Sequence, residues 1–170
     1  LRLTTGRFGE LDLDRAVTMT HGRDGWRVRW SPEELFPELG RSGTLRLDRE
    51  LGARGRIVGA DGTVWAMTRD DGMRVYPQEW LAGQTIGYVS EVTAEDLETL
   101  AADGYRAGDV VGRSGLEAGA EVLLRGTPGW TLVAVAGDGT ETALYRTDVV
   151  PGATITITLR PDVQSAAHNG

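Results

Sequence analysis

The chain has 170 residues, with 25 Asp and Glu against 18 basic residues, a formal net charge of −7, 40% hydrophobic residues and 24 glycines. That length suits one ordinary domain or two small ones, and the acidic balance argues against a generalised binder of nucleic acid or of an anionic membrane. There is no Cys and every base is Arg, which excludes disulfides, thiolate chemistry, Schiff bases, phosphate-loop lysines and Ser-Lys pairs. His21 and His168 stand at opposite ends of the chain, so a metal site would rest on carboxylates. Arg without Lys, among abundant Ala, Gly, Val and Asp, reads as the codon bias of a GC-rich genome. No apolar run approaches the ~18 residues of a membrane span, and no signal-peptide pattern is visible. Leu1 falls inside a strand-like pattern, so the chain reads as a segment of a longer protein.

Residues 1–30 alternate like strands, with a turn at Gly6 and Gly9 and another over 21–25, where Asp24-Gly25 is a hairpin signal. Trp26-Arg27-Val28-Arg29-Trp30 alternates throughout, which predicts an antiparallel hairpin with both Trp side chains on one face; with too few strands to bury it, that face is expected to be covered by another copy, a crystal neighbour or the pedestal. Ser31-Pro32-Glu33-Glu34 is a helix start with a capping box, and Pro37 ends it. The stretch 36–43 is a candidate domain boundary, with a strand over 43–48 beyond it. Residues 54–66 predict a second hairpin turning at Ala60-Asp61-Gly62. Thr93 to Ala102 has the clearest helical pattern, capped at Thr93 and stopped at Gly104. Ser114-Gly115-Leu116-Glu117 opens another helix by a capping box, with Leu116, Ala120, Leu123 and Leu124 on one side and Gly126 as the stop. Strands follow at 130–136, 141–147 and 153–159, the first two joined at Asp138-Gly139, and from Pro161 the pattern turns helical. The class is α+β, mostly antiparallel sheet with two or three short helices.

No catalytic constellation rises above this background. Asp12 and Asp14 share a strand face, as a carboxylate acid/base pair would need, but a solvated face accounts for them. Glu95, Asp96 and Glu98 suit a helix N-terminus. His21 reads as an exposed turn residue and His168 as a frayed end. Ser114 stands where nucleophilic serines often sit, yet no Lys is available as its base, and the capping role suffices. The glycines at 104, 108, 112 and 115 read as turn residues rather than a phosphate cradle.

The order of several segments resembles the non-catalytic N-terminal part of a class B penicillin-binding protein. Residues 26–39 resemble the end of a nuclear-transport-factor-like domain. Arg54, Gly55, Ile57, Gly62 and Ala66 match the first motif of the pedestal, with Gly59 and Ala60 in place of its usual Asp-Arg. Arg74, Tyr76, Pro77, Gly87 and Tyr88 match the second, with Glu79 where Gly is common. Gly112, Gly115, Glu117, Leu124, Gly126 and Gly129 match the third. Gly152, Thr158, Leu159 and Gln164 resemble the entry into a transpeptidase domain, with Arg160 where Asp is usual.

The resemblance implies residues 1–40 as the C-terminal strands of the front domain, 41–160 as an elongated pedestal or dimerisation domain, and 161–170 as the start of a transpeptidase domain. It implies no catalytic, cofactor or metal residues here, because the family's Ser-x-x-Lys and Lys-Thr-Gly need Lys. The segment would hold a peptidoglycan D,D-transpeptidase at the extracytoplasmic face of the membrane. Its partners would be that domain and other wall-synthesis proteins, not nucleic acid or the bilayer, with a homodimer left open. Arg54, Gly55, Arg74, Tyr76, Pro77, Gly112, Gly115, Glu117 and Gly126 are the motif residues expected to shape it. Arg54, Arg74 and Glu117 are expected to converge, with Glu117 also capping its own helix. Two rival readings are a small-ligand or protein-binding module built on a cone-shaped front-domain sheet, and a hydrolase using Asp12 and Asp14.

Overall fold

The computed structural model describes residues 2–169; the side chains of Glu79, Trp80, His168 and Asn169 lie outside the described set, and with them the expectation for His168. The chain runs β1 (Arg2–Thr5), β2 (Gly9–Asp12), β3 (Met19–Gly22), β4 (Gly25–Val28), α1 (Pro32–Leu35) and β5 (Thr44–Glu50). It continues through β6 (Ile57–Gly59), β7 (Val64–Thr68), β8 (Arg74–Val75), α2 (Gly83–Ile86), β9 (Val89–Glu91), α3 (Leu97–Leu100) and β10 (Val110–Gly112). The last elements are α4 (Gly115–Gly119), α5 (Glu121–Arg125), β11 (Gly129–Val135), β12 (Glu141–Thr147), β13 (Ile155–Ile157) and α6 (Pro161–Asn169). The class is α+β and, among the described residues, the strands pair antiparallel except β13 with β6.

Packing divides the chain into two compact units, 1–50 with 128–149, and 51–127 with 150–170. In the first, β11 lies between β12 and β5 in a three-stranded antiparallel sheet. Leu13, Phe36, Leu39 and Ala134 form its core, with Leu3, Leu35, Leu132, Leu144 and Tyr145 packed on them. The pairing of β5 with β11 brings residues 128–149 back to the N-terminal segment, because a strand edge must find a ladder wherever the chain supplies one.

The expected hairpins β1–β2 and β3–β4 both form. They remain separate two-stranded sheets rather than one cone-shaped sheet. Within the single chain the Trp face is uncovered: Trp26 is 67% and Trp30 63% exposed, beside exposed Met19 and Val28. Alternation assigns residues to one face of a ribbon, but two strands supply no second layer to cover it. Trp26 meets the cross-strand ring of His21 edge-on at 5.0 Å, and His21 itself is a strand residue rather than a turn residue. Trp26→Ser is therefore expected to change stability by less than about 0.5 kcal/mol in urea denaturation. A loss above about 1 kcal/mol would show that the face is covered in solution.

In the second unit, β6, β7 and β8 form an antiparallel meander, with β13 beside β6 at one edge. Ile57, Trp65, Ala66, Ala82, Ile86 and Leu124 are its buried centre. A satellite cluster of Val92, Tyr105 and Val111 lies under α3 and the β9–β10 pair. The helical signal over 93–102 resolves into a turn, one turn of α-helix and a 3-10 turn ending at left-handed Gly104. Thr93 and Asp96 exchange hydrogen bonds at its start. Leu124 is buried as expected, but Leu123 is 59% exposed. The helix breaks at Ala120, where φ is −113°, and the break turns Leu123 outward.

Candidate functional site

The first, second and third motif regions meet on one buried carboxylate. Glu117, on α4, has no exposed side-chain surface, and Arg54 and Arg74 are 9% and 4% exposed. Arg54 Nε donates to Glu117 Oε2 at 2.8 Å, and Arg74 Nε donates to Oε1 at 2.8 Å. Each oxygen of the carboxylate is thus held by a different guanidinium. Arg74 Nη1 also donates to the Gly55 carbonyl at 2.7 Å, so the second arginine grips both the carboxylate and the first motif's main chain. Convergence of the three residues is observed, but the capping-box mechanism is not. Ser114 sits in extended backbone with no side-chain cap bond. Glu117 faces inward because two guanidiniums offer charge-assisted bonds that a single helix N–H cannot match.

A second carboxylate, unnoticed in the sequence, extends the cluster. Glu121 accepts from Arg54 Nη1 and Nη2 at 3.0 and 2.7 Å, from the Tyr105 hydroxyl at 2.6 Å and from the Gly112 N–H at 2.8 Å. The spacing of Glu117 and Glu121, four residues apart, was the available signal. Burial alone would raise the Glu121 pKa, but Arg54, Tyr105 and the Gly112 amide together outweigh it and hold the group below its ordinary 4.5. Burial, reinforced by Glu121, pushes the Tyr105 phenol well above its ordinary range. The folded state therefore keeps Glu121 ionised after the unfolded state has taken up a proton. Its contribution is complete above about pH 4.5 and is lost as pH falls through the lower folded-state pKa. Glu121→Gln is expected to cost about 1.5–3 kcal/mol at neutral pH. The gap to the unsubstituted chain should close below about pH 4.5 in urea titrations, and a pH-independent gap would contradict the assignment.

The remaining motif residues set the approach of the main chains. A Cβ on Gly112 would collide with the Glu117 carbonyl, and one on Gly55 with the Ala153 carbonyl. Gly115 and Gly126 adopt φ of 56° and 71°, which L side chains rarely do. The Tyr76 hydroxyl accepts from the Val89 N–H at 3.1 Å. Pro77 is an exposed turn residue outside the cluster.

The enzymatic candidates do not assemble. Asp12 and Asp14 are exposed, and Asp12 pairs with Arg2 at 2.9 Å. Glu95 and Glu98 are exposed. Asp96 is gripped by both Nη atoms of Arg113 at 2.7 and 2.6 Å, and these bonds hold its carboxyl well below the usual range. Among the described residues there is no cluster of three or more His, Asp or Glu placed to hold a metal ion, and no helix long and apolar enough to cross a membrane.

The cluster fixes the mutual placement of three chain segments. Comparison with known proteins agrees with that architecture. The model of the Penicillin-binding Protein dimerisation domain matches residues 62–157, more than half of the chain, and the chain belongs to that family. It is 37% identical over 60 residues to the peptidoglycan D,D-transpeptidase MrdA of Acinetobacter baumannii, a match covering 35% of this chain and 9% of that protein. It resembles the crystal structure of Pseudomonas aeruginosa PBP2 in complex with WCK 5153, with a TM-score of 0.57 and 26% identity over 73% of this chain and 25% of that one. The fold also matches PBP2 of Helicobacter pylori, solved in complex with MreC, with a TM-score of 0.61, 15% identity, and coverage of 74% and 38%. The chain thus spans well under half the length of each of these relatives.

Proposed function

We propose that this chain is the non-catalytic pedestal of a peptidoglycan D,D-transpeptidase, holding that domain at the extracytoplasmic face of the membrane and contacting other wall-synthesis proteins. The observation that carries the reading is the buried carboxylate gripped by Arg54 and Arg74, in a chain that belongs to the dimerisation-domain family. Within this reading, residues 1–40 are the last strands of a nuclear-transport-factor-like domain, 41–160 the pedestal and 161–170 the entry to the catalytic domain. The chemistry of the whole protein is acyl transfer between wall peptides, carried out by residues outside this chain. Here no Lys exists to activate a serine.

Two measurements test the proposal. A fluorescent β-lactam should leave no covalent adduct on the chain by intact mass, and an adduct on any serine would overturn the non-catalytic reading. The Helicobacter relative was solved with MreC, so the MreC homologue from the same organism as this chain is the partner to try first. Saturable binding of the chain to it, or to another wall-synthesis protein, is expected in biolayer interferometry. Failure with all of them would overturn the partner-contacting role.

A further inference from the structure

Five Asp-Gly steps punctuate the chain, at 24–25, 61–62, 71–72, 103–104 and 138–139. Such a step is chemically weak, because a glycine without Cβ lets its own amide nitrogen approach the carboxyl of the preceding Asp. Four of the five stand in hairpin turns and hold their carboxylates. Asp61, Asp71 and Asp138 each accept the main-chain N–H two residues on, at 3.0, 3.0 and 2.9 Å, and Asp24 pairs with Arg27 at 2.7 Å. Asp103 instead closes a 3-10 turn. It is exposed, and its carboxylate has no hydrogen bond or ion pair among the described residues. Its carbonyl accepts from Arg125 Nη1 at 3.0 Å, and the same guanidinium lies 3.6 Å over the Tyr105 ring. The one Asp-Gly step with an unheld carboxyl thus has a cation on its peptide oxygen.

We propose that Asp103-Gly104 is a self-modifying site, at which the chain forms a succinimide and then isoaspartate with Arg125 assisting. In the first stage the Gly104 nitrogen loses its proton and attacks Cγ of the neutral Asp103 carboxyl. The new C–N bond closes the ring, and the carboxyl hydroxyl leaves with that proton as water. In the second stage water adds to either ring carbonyl and opens it, restoring Asp or leaving isoaspartate with the main chain routed through Cγ. The negative charge of the deprotonated peptide sits largely on the Asp103 carbonyl oxygen. Arg125 Nη1 already donates to that atom, so the guanidinium favours loss of the proton. The turn N–H bonds hold the Asp61 and Asp138 carboxyls below their ordinary range, and an ionised carboxylate is a poor electrophile. The glycine N–H is itself bonded at four of the steps, to the carbonyls of Gly59, Arg69, Ala101 and Ala136. The nucleophile is therefore restrained alike there, and the difference lies in the carboxyl and the carbonyl of Asp103. Isoaspartate would lengthen the main chain just before Tyr105, whose hydroxyl donates to Glu121 at 2.6 Å. The site does not depend on the pedestal reading.

The test is incubation of the 170-residue chain in water enriched in heavy oxygen, both native and in concentrated urea, followed by peptide mapping with electron-transfer fragmentation. Each passage through the succinimide leaves a heavy oxygen on the residue, and fragmentation tells isoaspartate from Asp. In urea all five steps should age at similar rates. In the native chain residue 103 should age about tenfold faster than the other four. Arg125→Gln should slow residue 103 about tenfold, the worth of one charge-assisted hydrogen bond to the reacting peptide, and Arg125→Lys should slow it less. Unfolding would speed every step, so slowing confined to residue 103 reports the lost guanidinium and not lost structure. Native ageing at residue 24, 61, 71 or 138 as fast as at 103 would overturn the proposal. So would an unlabelled residue 103 beside a labelled urea sample, or an unchanged rate in a folded Arg125→Gln chain. Should that variant fail to fold, the comparison of the five steps in the unsubstituted chain decides alone.

Discussion

Glu117→Ala is expected to destabilise the folded chain by about 3–5 kcal/mol, because it leaves two buried guanidiniums facing one another without their shared counter-charge. Arg54 Nε and Arg74 Nε both lose their acceptor, and neither side chain is more than 9% exposed. Water cannot replace the carboxylate without opening the packing. Glu117→Gln should recover little, since an amide nitrogen would be set against one of the two donors. The loss should persist at high salt, since buried pairs are weakly screened. Replacing Arg54, Glu117 and Arg74 together by apolar residues should restore part of the stability, as removal of a whole buried ionic group often does. The recovery is partial because Glu121 then loses Arg54. Urea denaturation of the single and triple variants measures all of this. A cost below about 1 kcal/mol for Glu117→Ala would mean that the carboxylate is solvated and the cluster is not closed.

Leu124→Ala should cost about 2–5 kcal/mol, towards the upper part of that range. The size of a cavity penalty depends on how far the surroundings can collapse, and here they are pinned. Leu124 is fully buried against Ile57, Trp65 and Ile86, while its own carbonyl accepts from the Gly55 N–H at 2.7 Å. A Cβ on Gly152 would strike that same carbonyl, so the main chain has no room to shift into the void. Leu123→Ala, one residue away and outward-facing, should change stability by less than about 0.5 kcal/mol. Thermal denaturation of the pair is a direct test of the break at Ala120: comparable losses would restore a continuous helix with both leucines inside.

What could be read beforehand followed the range of the interaction. Turns announced themselves through Asp-Gly steps, and the hairpins β1–β2, β3–β4, β6–β7 and β11–β12 were local enough to infer. The parallel pairing of β13 with β6 and the pairing of β5 with β11 join segments about 80–100 residues apart, and no local pattern encodes them. Arg54, Arg74 and Glu117 were found through family motifs, not through periodicity. Glu121 and Tyr105 lie outside the residues matched to those motifs. The capping box at Ser114 failed for an instructive reason: a local rule assigned Glu117 to its own helix, and two distant arginines outcompeted it. Alternation put Trp26 on one face of the ribbon but was silent about what covers that face, and Trp30 lies beyond the end of β4.

The cluster also bears on the order in which the chain folds. Its bonds span 63 residues from Arg54 to Glu117, 43 from Arg74 to Glu117 and 67 from Arg54 to Glu121. Closing loops of that length costs entropy before any of the charged contacts is gained, and desolvating Glu117 is unfavourable until both arginines have arrived. We therefore expect the local hairpins to organise first and the arginine–carboxylate bonds to close on the native side of the folding barrier, so that Glu117→Ala raises the unfolding rate more than it lowers the folding rate. Contacts made that late leave the folding rate almost untouched and act on the rate of unfolding. On that expectation the buried carboxylate acts as a latch on the lifetime of the folded unit.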